Sequence, residues 1–291
     1  MEFVRKFSWR FIALLLLGLV TLAFIPQTVL ANQSDSIAIE QYSIALASCL
    51  FIGFFFKRLK WIQHIDTWLH EFGHAATVAM FGGLPKSIKL NQNSSGVTNF
   101  AHSRLTPFRD LIISAAGPLA SLFTLLIGSM LVVKGQEVLL IGVVGFITFL
   151  VLISTVRTPF GWMVGILIWL SMAFTYVIKE GLIATIHFDY ALDIYLGGFL
   201  GLATGVALRA ALQRIRFHSA HGDEGKIAQH LHLPEVIVDW VLVILNASVL
   251  IGVWQYLDAG QAIARLVEGS PELQAKLAQF LSWFKEIPIF N

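Results

Sequence analysis

Long apolar runs separated by short polar or charged punctuation dominate the chain. The first follows Arg5, Lys6 and Arg10 and extends to about Leu30, and the second runs from about Ser43 to Phe56 and stops at Lys57-Arg58-Leu59-Lys60. A third, from about Trp61 to Phe81, is interrupted by histidines and carboxylates and ends at Gly82-Gly83. Later runs cover about Leu111 to Val133, Val138 to Val156, Gly161 to Ile178, Ala191 to Leu208 and Val236 to Tyr256. Most are long enough for a helix to cross a bilayer, so the expected fold is all-α and polytopic, with about seven or eight membrane helices.

The period changes once. Between Leu84 and Asp110, Ile88-Lys89-Leu90 and Val97-Thr98-Asn99-Phe100 alternate around the polar stretch Asn91 to Gly96. This predicts a short β-hairpin directly after the third helix, where it could pair with an extended peptide by strand addition. Ala116-Gly117-Pro118-Leu119-Ala120 puts a small residue and a proline inside one run, where a helix kinks or another packs closely. Arg157-Thr158-Pro159-Phe160 joins two runs tightly enough to make them antiparallel neighbours, and Arg157 there reads as an interfacial anchor. Gln261 to Phe284 has the mixed charge and apolar spacing of an amphipathic helix lying on the membrane. The expected organisation is therefore N-terminal membrane helices over 1–56, a core over 57–257 and an amphipathic tail over 258–291. Val29-Leu30-Ala31 has the form of a signal-peptidase site, but the long apolar core Phe11 to Phe24 favours a retained helix.

Composition agrees with the pattern. Of 291 residues 56% are hydrophobic and 13% charged, which makes the chain an integral protein of the lipid bilayer. A net charge of +2 with dispersed basic residues argues against nucleic acid as a partner. Lys and Arg divide almost evenly between the two sides of the expected topology, so charge does not set the orientation. Cys49, the one cysteine, can form no internal disulfide and no CxxC metal site, so any metal must be held by histidine and carboxylate.

The third run supplies such ligands in Trp68-Leu69-His70-Glu71-Phe72-Gly73-His74-Ala75. His70 and His74 are four residues apart and share one helix face, where both imidazoles reach one ion. Glu71 points about 100° round the helix from His70, where it can touch water on the ion without being a ligand. Two neutral nitrogens holding zinc and a carboxylate taking a proton is the division of labour of a metalloprotease. Ionisable residues at membrane depth are costly, which favours function over satisfied core polarity. His64, six residues before His70, falls off the ligand face and suits the rim.

Hydrolytic zinc takes three protein ligands. Downstream candidates are Asp189 and Asp193 near the run that starts at Ala191, Asp223 in His221-Gly222-Asp223-Glu224-Gly225, Asp239 early in the last run, and Asp258 in Leu257-Asp258-Ala259-Gly260. Asp223 and Asp239 could equally serve as favourable charges at helix N-termini. His218 and His221 could back a site at Asp223, although loop histidines are more often simply exposed.

His70-Glu71-Phe72-Gly73-His74 resembles the signature of the site-2 protease family of intramembrane zinc metalloproteases. Gly82-Gly83, Gly96-Val97-Thr98, Ala116-Gly117-Pro118-Leu119 and the segment Asp223 to Pro234 are similar to its compact bacterial branch, so the resemblance covers about residues 60–257. It implies a multi-pass protein of a bacterial cell membrane, with Zn2+ as cofactor, another protein's membrane segment as substrate, Glu71 as the catalytic base, and Asp223 as the third ligand beside His70 and His74. The better-known members carry Asn-x-x-Pro-x-x-x-Leu-Asp-Gly inside a helix. This chain lacks it and is similar only to its end at Leu257-Asp258-Ala259-Gly260, so Asp193 and Asp258 stay open alternatives. A different class of function would keep the scaffold without hydrolysis, as a metal-binding or transport protein or a binder of membrane helices; the presence of Glu71 favours the enzyme.

Overall fold

The computed structural model describes residues 2–24, 36–56, 60–93, 95–101, 106–181, 188–217 and 222–257. Within them the order is α1 (Glu2–Phe24), α2 (Ser36–Phe55), α3 (Lys60–Met80), β1 (Leu84–Leu90), β2 (Gly96–Ala101), α4 (Pro107–Val133), α5 (Glu137–Ser154), α6 (Pro159–Lys179), α7 (Ala191–Phe217), α8 (Asp223–Leu231) and α9 (Glu235–Leu257). The fold is an all-α membrane bundle with one antiparallel hairpin, as the pattern predicts. Among the described residues six helices, α2, α4, α5, α6, α7 and α9, are long and apolar enough to cross a membrane. α1 and α3 are as long; α1 carries the apolar run that follows Arg10, and α3 has a polar face. The possible cleavage site at 29–31, His218, His221, Asp258 and the tail over 258–291 lie outside the described residues.

Local chemistry sets the boundaries. Two Thr-Pro pairs start helices: Thr106 accepts a hydrogen bond from the Arg109 amide ahead of Pro107, and Thr158 accepts one from the Gly161 amide ahead of Pro159. Each hydroxyl satisfies an amide with no partner in the helix, while proline gives up one that is not needed. α2 begins at Ser36, earlier than the apolar run, and α7 continues to Phe217, well past Leu208. α5 stops at Ser154, not Val156. Val156 forms an isolated parallel bridge with Ile88 of β1, the Ile88 amide donating to the Thr155 carbonyl (3.0 Å) and the Arg157 amide donating to the Ile88 carbonyl (3.2 Å). The Arg157 guanidinium donates to the carbonyls of Ser154 and Val156, which ties off the end of α5. Trp9 of α1 reaches the same corner and donates its indole N–H to Thr155 Oγ1 at 2.8 Å.

The bundle packs most closely where α2 crosses α7. Gly197, Gly201 and Gly205 repeat every fourth residue and face the carbonyls of Tyr42, Leu46 and Leu50, while Gly53 of α2 faces Leu202 in return. Small residues at this spacing let two backbones touch, the main source of helix association where lipid removes the hydrophobic drive. On the outside, Leu14, Leu167, Ile244 and Ile251 are each more than half exposed, a surface suited to lipid and not to water.

Replacing Gly201 by Ala forces a methyl group against the Leu46 carbonyl and should cost about 1–3 kcal/mol, read as a lower thermal midpoint in detergent. Gly252→Ala, where nothing lies within 4 Å, should leave the midpoint unchanged or raise it.

Candidate metal centre

Asp66, His70 and His74 occupy successive turns of one face of α3. That face meets α4 at very short range. A Cβ on Gly73 would lie 2.5 Å from the Ala116 carbonyl oxygen, and a Cβ on Gly117 would overlap Nε2 of His74 and come within 2.7 Å of Nε2 of His70. The two imidazoles therefore fill the space that Gly117 leaves open. His74 Nδ1 lies 2.6 Å from the Ile113 carbonyl. A carbonyl only accepts, so Nδ1 carries the proton and Nε2 presents its lone pair to the cleft. Ile113 is two turns into α4, which sets the centre about 10 Å below the start of that helix.

Asp223 opens α8 and reaches in from the opposite side. Its Oδ2 is 2.9 Å from both imidazole Nε2 atoms, which are themselves 3.2 Å apart. Among the described residues, His70, His74 and Asp223 form the metal-type cluster. α8 is fastened at both ends. Arg214 of α7 pairs with Glu224 at 2.8 Å, and His230 pairs with Asp110 of α4 at 2.8 Å. Arg214 also reaches Asp239 of α9 at 3.6 Å, so one guanidinium joins α7, α8 and α9 beside the cluster.

The donor set fits a small divalent cation. Its edges of 2.9, 2.9 and 3.2 Å are close to the edge of about 3.3 Å expected of a tetrahedral site with bonds near 2.05 Å. With Nδ1 of His74 protonated, an oxygen lone pair and nitrogen lone pairs crowd one point, an arrangement that repels unless positive charge lies among them. The side chains of His70 and Asp223 keep 27% and 21% of their surface, against 9% for His74, so the centre is most exposed at His70 and Asp223.

Glu71 faces the hairpin. Its Oε2 accepts a hydrogen bond from Thr98 Oγ1 at 2.6 Å, and a Cβ on Gly96 would lie 2.5 Å from its Cγ. The hairpin pairs Ile88 with Thr98 and Leu90 with Gly96. Because Ile88 turns its amide and carbonyl outward to Thr155 and Arg157, Thr98 opposite it must turn its own amide and carbonyl away from β1. The outer edge of β1 is thus taken, while that of β2 has no strand partner among the described residues. On the far face of α3, Trp68, Phe72 and Ala76 line an apolar cavity of about 500 Å³ shared with Ala120, Leu196 and Phe199.

The other described candidates lie elsewhere. Asp189 and Asp193 sit at the start of α7, and Asp193 is about 30 Å along that helix from Arg214. Asp239 is engaged with Arg214, and His64 is buried edge-on against Phe160 at 4.6 Å between ring centres. Sequence reasoning passed over Asp66, which accepts a hydrogen bond from Ser121 at 2.7 Å one turn before His70. Its spacing of four from His70 was the available signal. It also passed over the hydroxyl of Thr98 and the Arg214 junction, which no local spacing announces.

A family model described as Peptidase M50B-like matches residues 41–254. No curated protein and no solved structure matches the chain.

A methyl group at position 117 would meet the Nε2 atoms of both imidazoles first. Gly117→Ala should therefore be purified with much less bound metal than the wild type, as measured by elemental analysis.

Proposed function

The chain belongs to the Peptidase M50B-like family, and from that premise we propose that it is an intramembrane zinc endopeptidase, hydrolysing peptide bonds in or near membrane segments of other proteins. The observation that carries the reading is the convergence of His70, His74 and Asp223, with Glu71 beside them on the same helix. His70, His74 and Asp223 would hold the zinc. When bound, the ion polarises the scissile carbonyl and acidifies water at the centre.

The chain's own residues do the rest. Glu71 accepts the proton of the attacking water and delivers it to the leaving amine, as a carboxylate one residue from a ligand is placed to do. The Ile113 carbonyl holds His74 in the tautomer that offers Nε2 to the ion, and the Arg214 and His230 ion pairs hold α8 so that Asp223 meets the histidines. A peptide bond inside a helix is shielded by its neighbours, so the substrate segment must be extended before it is cut. The outward amide and carbonyl of Thr98 on β2 offer a strand to pair with, directly beside Glu71. The cavity against Trp68 and Phe72 gives apolar side chains of the same segment a place to rest. Water would reach the centre where His70 and Asp223 are exposed.

The test reconstitutes the full chain in vesicles with a single-span protein substrate. Cleavage within or next to the span should cease on chelation and return with zinc. Asp223→Ala and His70→Ala should each lower zinc below one per chain, whereas Asp193→Asn should leave it unchanged. Cleavage that persists after complete removal of metal would contradict the proposal.

A further inference from the structure

We propose that Thr98 is a positioning residue that fixes the direction of the Glu71 carboxylate; the inference deepens the proteolytic reading and rests on it. Thr98 Oγ1 lies 2.6 Å from Glu71 Oε2 and 3.0 Å from the Glu71 backbone carbonyl oxygen. A hydroxyl has one proton and two lone pairs, so it donates to only one of these at a time. While Glu71 is ionised, Thr98 O–H donates to the carboxylate, a short charge-assisted bond that fixes the oxygen's direction. Oε1, the oxygen that Thr98 does not engage, is then the one that takes the proton of water, while Thr98 O–H goes on donating to Oε2, the carbonyl oxygen of the acid that results. No heavy atom moves, and the proton stays on Oε1 until the leaving nitrogen collects it.

The surroundings are built for this. Gly96 and Thr98 are two residues apart on β2 and present the same face to α3. Gly96 has no side chain where Glu71 Cγ and Oε1 lie, so the carboxylate fits against the strand, and Thr98 supplies the single hydroxyl at its tip. The strand is braced from behind, because β1 is tied both to β2 and to the Thr155–Arg157 segment, with Ile88 and Leu90 buried beneath. Thr98 thus holds the base with its side chain while its backbone faces the open edge.

The two roles separate experimentally, since Thr98→Val keeps the backbone edge and the bulk but loses the hydroxyl, whereas Thr98→Ser keeps the hydroxyl. With the full chain in vesicles and the same single-span substrate, Thr98→Val should lower kcat about ten- to a hundredfold, the usual worth of a hydrogen bond to a charged group. KM and zinc content should not change, and Thr98→Ser should stay close to wild type. The inference is overturned if Thr98→Val keeps the wild-type kcat, if Thr98→Ser is as impaired as Thr98→Val, or if Thr98→Val loses zinc or fails to fold, since each makes the hydroxyl dispensable or merely structural. A wild-type chain that cleaves no substrate would sink the proteolytic reading itself, and this inference with it.

Discussion

The near-contact of α3 with α4 is the constraint on which the centre depends. Two helices normally keep 8–10 Å between axes because side chains stand between them. Here Gly73 and Gly117 remove those side chains at adjacent levels. The Ala116 carbonyl takes the place of one, and two imidazoles take the place of the other. The same approach brings the Ile113 carbonyl onto His74 Nδ1, so close packing also fixes which nitrogen faces the cleft. Nothing larger than hydrogen at 117 is compatible with both imidazoles in these positions.

Two elements complete what α3 and α4 begin, and neither is a membrane-spanning helix. α8 contributes Asp223 and is held by ion pairs to α7 and α4, while the hairpin contributes Thr98 and is held by backbone pairing to the corner after α5. The centre is therefore assembled from separate supports. Loosening Arg214 would act on the third donor through α8, and loosening the corner at Thr155 would act on Glu71 through β2.

How far the sequence disclosed this depends on range. His70, Glu71 and His74 share one turn and a half of helix, so their relation is written in a period of 3.6 and needs no fold to be seen. Asp223 lies 149 residues from His74, and spacing alone left five aspartates open; only the family resemblance favoured it. Thr155 and Val156 continue an apolar run and read as helix, because what draws Val156 out of it is pairing with Ile88, far away in the chain. The Gly197, Gly201, Gly205 stripe was legible at its spacing of four and went unread, whereas the Arg214 junction joins three helices through side chains that no periodicity links.

The most direct measurement is made on Glu71→Gln, which keeps the shape of the side chain and removes its ability to take a proton. Purified and reconstituted beside the wild type, it should hold about one zinc per chain yet leave a single-span substrate uncut. A Glu71→Gln chain that binds zinc and cleaves at the wild-type rate would contradict Glu71 as the base and, with it, the mechanism built on this centre.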